Sequence, residues 1–214
     1  GKTLHQVAAE NEPDWNFLFG AITRDGETVI PRGNHELQAD DLVRVLCKRG
    51  ARRELMELLD LPYRAPRRVL LLGGGRTAEL VADPLVRRGS EVVIVESGTE
   101  RARDLAERLH RVTVLQGDIT DAEVLLDAEV GTFDAVIALT GKDDANVLAC
   151  LFAKAQGAGE TLSIAHRLEL LPLLQQAGID AAASPRTATA DRVITHVRGE
   201  IAGVATFLDG AVET

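Results

Sequence analysis

Tyrosine is nearly absent from this chain of 214 residues, which also has one tryptophan, one methionine, two cysteines and four lysines, Lys2, Lys48, Lys142 and Lys154. Each scarcity excludes a class of chemistry. Short-chain dehydrogenases move a proton with a tyrosine whose pKa is lowered by a lysine four residues on; here the single tyrosine, Tyr63, has Arg67 at that spacing, which removes that class. Cys47 and Cys150 show no CxxC pairing, so a disulfide framework and a zinc site are not implied, and reduced cysteines in a cytosolic protein are the expectation. His5, His35, His110, His166 and His196 are scattered, with no HExxH spacing; no metal site is expected. The formal net charge of -9, without a Lys/Arg block, repels phosphate backbones and anionic lipid headgroups, so neither nucleic acid nor a membrane surface is an expected direct partner. No apolar run approaches the roughly 20 residues of a membrane span, and no signal-peptide pattern opens the chain. A glycine at position 1 and Met56 as the single methionine suggest an excised or processed piece of a longer protein.

What is present is a 45% hydrophobic content, sufficient for a core, in three segments of different rhythm. Residues 1–62 open on the helical GKTLHQVAAE; NFLFGAITR and ETVIP then flank Asp25-Gly26, a dipeptide suited to the left-handed dihedrals of a tight hairpin. LVRVLC adds a strand and ARRELMELLDLP a short helix ended at Pro62, giving a small α+β antiparallel domain. From 63 to 200, VLLL, EVVIVE, VTVLQGD, FDAVIALT, TLSIAH and the weaker DAAAS alternate with stretches of helical period. Nearly continuous apolar strands with helical crossovers imply a parallel sheet covered on both faces, a doubly wound Rossmann-like α/β fold. Residues 201–214 hold one more strand-like run, IAGVATFL, which must pair elsewhere or fray.

The motif that carries chemistry is VLLLGGGRTAEL at 69–80. Gly73, Gly75 and Ala78 fill the GxGxx(G/A) positions, for a tight turn, for backbone approach to a pyrophosphate, and for helix–sheet packing. The helix start offers N–H groups to phosphate, with Arg76 as an added cation. Glu96 ends the second strand, 21 residues after Gly75, where a carboxylate accepts both ribose hydroxyls and repels a 2'-phosphate; NAD(H) or an adenine nucleotide fits and NADP does not. Asp118, past the third strand, meets the adenine edge or caps the next helix, and Thr140 and Gly141 end the fourth, with Asn146 as a cap or contact. The nucleotide site thus comprises Gly73, Gly74, Gly75, Arg76, Thr77, Glu96, Ser97, Asp118, Ile119, Thr140, Gly141 and Asn146. A catalytic set is not expected. His166-Arg167, at the end of the fifth strand, is the one candidate for an NAD-dependent oxidoreductase reading, and no domain of useful size remains to hold a substrate.

Four stretches, VLLLGGGRTAELVADPLVRRGSEVVIVESG, VTVLQGDITD, ALTGKDDANVLACLFAKAQGA and SPRTATADRVITHVRGE, together resemble the nucleotide-binding RCK (TrkA-N) domain of potassium-transport regulators over residues 68–200. GKTL, the RDG hairpin and the PRG turn are similar to the small TrkA-C domain. TrkA-C before TrkA-N is the order found in the middle of a tandem protein, so the resemblance implies that 201–214 begins a second TrkA-C domain, its strand completing the N-terminal sheet in cis or from a partner. It further implies a cytoplasmic regulatory subunit that binds NAD(H) or ADP/ATP and signals to a membrane potassium-translocating subunit. A cation/proton antiporter is the alternative partner. Homo-oligomers are implied to form through the last helix, with Val193, Ile194 and Val197 as its apolar stripe. Two features depart from the family pattern: Ala78 stands at the third glycine position, and Pro84 falls inside the first Rossmann helix, where it should cost about 3 kcal/mol unless the helix kinks or restarts.

Overall fold

A computed structural model describes residues 3–11, 16–48, 51–59 and 65–198. The chain divides into two compact units, Gly1–Arg64 with Ile194–Thr214, and Ala65–Val193. The strand expected at 202–208 lies outside the described residues.

In the first unit, α1 (Leu4–Asn11) precedes a three-stranded antiparallel sheet of β1 (Phe17–Arg24), β2 (Glu27–Val29) and β3 (Leu42–Cys47) in the order β2-β1-β3, followed by α2 (Arg52–Leu58). Asp25 and Gly26 take φ of 52° and 83°, so both central residues of the two-residue loop between Arg24 and Glu27 are left-handed, the geometry that follows strand twist in a hairpin. Alternation puts Phe17 and Phe19 on the buried face; an irregular register between Phe19 and Ala21 at Gly20 resets it, and Ala21 and Ile22 are both buried. Leu4 and Leu55 from the two helices close this small core.

The second unit is a six-stranded parallel sheet. Its elements run β4 (Arg68–Leu72), α3 (Arg76–Arg87), β5 (Glu91–Glu96), α4 (Thr99–Arg108), β6 (Val112–Gln116), α5 (Ala122–Asp127), β7 (Ala135–Ala138), α6 (Asp143–Ala155), β8 (Glu160–Ile164), α7 (Leu171–Gln176), β9 (Ala181–Ala183) and α8 (Pro185–Arg198), which continues past the unit's last residue. The spatial order β6-β5-β4-β7-β8-β9 reverses direction between β4 and β7, and such a reversal opens a crevice at the carboxyl ends of the strands. The apolar run of β4 is explained by its central place. Val69 and Leu71 pack beneath Ala78, Ala82 and Val86 of α3 and Leu105 of α4, while Leu70 and Leu72 face Leu125, Ala149, Cys150 and Leu174 on the other side. All four strand residues are fully buried, and a Leu→Ala change at such a position costs about 2–5 kcal/mol.

Ala78 is fully buried at the α3–sheet contact. Pro84 neither ends nor restarts α3, which runs as one helix through it. The proline lies in the last turn, and Leu80, whose carbonyl loses its donor, is an exposed residue at 63%. On α8, Val193 and Val197 are exposed and Ile194 is intermediate.

Candidate functional site

The carboxyl ends of β4, β5, β6 and β7 surround a crevice of about 490 Å³. On its first side the chain leaves β4 through three glycines with distinct demands. Gly73 sits at φ +101°, and a Cβ there would come within 2.7 Å of Thr140 Cγ2. At Gly74 a Cβ would meet Leu105 Cδ1 at 2.5 Å and Glu96 Oε2 at 2.9 Å, whereas at Gly75 it would meet open space. The second fingerprint glycine is therefore the one whose backbone is open to approach. Gly75 also precedes α3; the Ala78 and Glu79 amides return to its carbonyl, and the earlier N–H groups of that turn are those a helix leaves to outside partners.

Glu96 ends β5 and ties the loops together. Its Oε2 accepts from the Gly74 amide at 2.7 Å and its Oε1 from the Gly98 amide at 2.7 Å. The Ser97 hydroxyl makes a longer contact to Oε1 at 3.5 Å; a carboxylate has about four lone-pair positions, so a second ribose hydroxyl is accommodated where it displaces that contact. Asp118, beyond β6, accepts from the Thr120 amide and hydroxyl through Oδ1 at 2.9 and 2.8 Å; those bonds, aided by the charge of Lys142, hold its carboxyl below the usual carboxylate range. The cap of α5 is Asp121, which accepts from the Glu123 amide, and Asp118 is left facing the crevice.

The second side is built differently. Asn146 on α6 is fully buried. Its Oδ1 accepts from the Thr140 amide (3.1 Å) and hydroxyl (2.5 Å), and its Nδ2 donates to the carbonyls of Thr140 (2.9 Å) and Ile164 (3.2 Å). Asp143, also buried, accepts from the His166 amide and ring Nδ1 and from the Arg167 amide. Burial opposes its ionisation, but these donors prevail and bring the carboxyl down to about 2.

Of the residues expected from sequence, Gly73, Gly74, Gly75, Glu96, Ser97, Asp118, Ile119, Thr140 and Gly141 line one crevice. Arg76, Thr77 and Asn146 do not. The Arg76 side chain is 74% exposed and turned to Glu79 (Nη1–Oε2 2.9 Å), Thr77 is exposed on the first turn of α3, and Asn146 uses its amide inside the fold. Lys142, Thr120, Leu139 and Ala145 also line the crevice without having been singled out as ligand contacts.

Beneath the glycine loop lies a network that no motif announced. Glu79, 8% exposed, pairs through Oε1 with Arg101 and through Oε2 with Arg76 and with Arg108 Nη2 at 2.6 Å. The hydrogen bond from Arg101 leads in holding its carboxyl below the ordinary range, with the charge of Arg108 adding to it against desolvation. Arg101 Nε also donates to the Gly74 carbonyl at 2.8 Å. In sequence these are ordinary helix charges, Arg76 and Glu79 within RTAELVADPLVR and Arg101 and Arg108 within TERARDLAER, and nothing in their spacing marks them.

The crevice offers hydrogen-bond donors, acceptors and a positive helix end, but among its lining residues there is no cysteine, histidine or tyrosine. Among the described residues no group of three or more His, Cys, Asp or Glu is placed to hold a metal. His166 lies outside the lining, and Tyr63 falls outside the described residues.

Comparison with known proteins agrees with this geometry. Residues 69–185 match the TrkA-N domain and residues 1–60 the TrkA-C domain. The chain is 37% identical over 202 residues to the Trk system potassium uptake protein TrkA of Halomonas elongata, covering 94% of this chain and 44% of that protein, and 34% identical over 204 residues to that of Azorhizobium caulinodans, with the same coverages. It thus spans less than half the length of these relatives, whose name is that of an uptake protein and not of an enzyme. Among solved structures it is similar to the GsuK RCK domain (TM-score 0.62, 18% identity, 90% of this chain and 41% of that one). It also resembles the GsuK channel bound to NAD (TM-score 0.53, 24% identity, 63% and 24%) and GsuK bound to ADP (TM-score 0.51, 23% identity, 58% and 32%). No helix among the described residues is long and apolar enough to cross a membrane. The match over more than half of its length places this chain in the TrkA-N domain family, with a TrkA-C domain ahead of it.

Proposed function

We propose that this chain is the nucleotide-sensing part of a regulatory subunit of potassium transport, binding NAD(H) or ADP/ATP in the crevice at the switch point. The observation that carries the reading is the pairing of an open Gly75 and helix start with a Glu96 carboxylate already oriented by two backbone amides. Phosphates fit the first and a ribose diol the second. That solved relatives of this fold carry NAD and ADP supports the choice of ligand. The site residues in this reading are those of the loop and strand ends, Gly73–Thr77, Glu96, Ser97, Asp118, Ile119, Thr140 and Gly141, with Asn146 acting through Thr140.

In the cell the protein stands at the cytoplasmic face of the membrane, docked on a potassium-translocating subunit. Nucleotides with different affinities for two arrangements of the regulatory assembly shift its population and with it the gate. The assembly is a homo-oligomer paired through the exposed valines of α8. Residues 1–62 form a TrkA-C module, 63–200 the TrkA-N module, and 201–214 start the next TrkA-C module.

Calorimetric titration of the 214-residue chain with NADH, NAD, ATP and ADP, and with NADP for comparison, tests the core of this reading. Saturable binding of at least one, with NADP bound more weakly than NAD, is the expected result. Absence of binding by all four overturns it.

A further inference from the structure

We propose that Arg101, on α4 and outside the crevice lining, is a positioning residue for the phosphate side of the site, aiming the Gly75 N–H at the ligand. The inference rests on the nucleotide reading above and adds to it a residue that no fingerprint position covers. A peptide plane joins the carbonyl of one residue to the amide of the next, and in a trans peptide the two point in opposite directions. The Gly74 carbonyl is bound by Arg101 Nε at 2.8 Å. The plane that carries the Gly75 N–H is therefore fixed from behind, with that N–H directed away from Arg101, at the residue whose surroundings are open. The preceding plane is fixed separately, by the Gly74 amide on Glu96 Oε2 at 2.7 Å.

Glycine at 74 and 75 offers little resistance to rotation of the shared plane. A rotated plane presents a carbonyl oxygen to the ligand, in a crevice that already holds the carboxylates of Glu96 and Asp118. Arg101 resists that rotation because its own guanidinium is held at every nitrogen. Nη1 pairs with Asp104 Oδ2 at 2.6 Å, Nη2 pairs with Glu79 Oε1, and Nε holds the loop. Glu79 is anchored in turn by Arg108 and Arg76. The fork geometry of arginine suits this three-way contact, and a lysine ammonium does not reproduce it.

The experiment is calorimetric titration of ADP and of adenosine into the wild-type chain and into R101M, R101K and R103M. Arg103 is an exposed cation of the same helix, so R103M repeats the change of charge without touching the loop. R101M is expected to bind ADP about tenfold or more weakly, the scale of one hydrogen bond to a charged group. Adenosine affinity should stay within about twofold, as should ADP affinity in R103M. If R101M does not fold, R101K carries the test, with the same selective loss for ADP expected. Unchanged ADP affinity in both Arg101 variants, equal losses for ADP and adenosine, or an equal loss in R103M overturns the inference while leaving the nucleotide reading in place. Wild-type protein that binds neither NAD(H) nor an adenine nucleotide overturns both.

Discussion

The two sides of the crevice use the same residue types to opposite ends. At the β4–β5 side the backbone is restrained so that polar groups are left over: Gly74 is held by Glu96 and Arg101, while Gly75 and the first turn of α3 remain available. At the β7–β8 side the polar side chains are spent inside the fold, Asn146 on Thr140 and Ile164, and Asp143 on His166 and Arg167. In the proposed nucleotide reading one side is a preorganised receptor, the other a brace that shapes its opposite wall. A strand-end polar residue is thus evidence of a ligand site only once its own hydrogen bonds have been counted.

Gly73 is where the two sides meet, so Gly73→Ala should have the largest effect. The φ of +101° costs about 1–3 kcal/mol for a residue with a Cβ, and the contact with Thr140 Cγ2 pushes on the brace as well. Denaturant unfolding should show a loss beyond that range, and ADP binding should fall below detection. Wild-type stability and affinity in this variant would show the sides to be uncoupled. Asn146→Ala should follow, losing about 1–3 kcal/mol by leaving buried partners unmatched, with ADP affinity changed only a few-fold in protein that remains folded. A selective loss of binding at full stability would return Asn146 to the ligand. Glu96→Ala should do the reverse, lowering affinity for ADP and NADH about tenfold or more at a smaller cost in stability. Unaltered affinity there removes Glu96 from the ribose and erases the contrast.

The sequence showed the crevice more clearly than the brace. Apolar strands with helical crossovers, the glycines, and the carboxylate 21 residues later each have a local cause, and they lie together because strand order forces them to. Pro84 does lie inside the helix, as its position in the sequence implies, but its cost depends on where in the helix it falls and on the exposure of Leu80, which periodicity does not report. Asn146 read equally well as a cap or a ligand contact, since Ile164, one partner that decides it, is 18 residues away in sequence, and Asp143, whose partner His166 is 23 residues away, carried no signal at all. The Glu79–Arg101–Arg108 network was silent for the same reason. It joins α3 to α4 across a strand, and a charged helix face is usually just solvated.

The smallest effect expected concerns Asp143 and appears only in acid. Its carboxyl ionises at about 2 in the folded chain against 3.8 as the ordinary value. A depressed folded value means that the ionised carboxylate favours the folded state; the contribution is complete above about pH 4 and is lost as pH falls toward 2. Asp143→Asn keeps a carbonyl acceptor for the His166 and Arg167 amides but has no proton to gain in that window. Its melting temperature should therefore fall less steeply than that of the wild type between pH 4 and pH 2, while ADP affinity at neutral pH changes little. Asp41, held at about 2 by the Arg24 guanidinium, contributes a similar slope to both proteins, so the difference between the two curves isolates the brace. Parallel curves would mean that the His166 and Arg167 contacts do not favour the charged carboxylate. A large loss of ADP binding in the variant at neutral pH would place Asp143 with the receptor side instead.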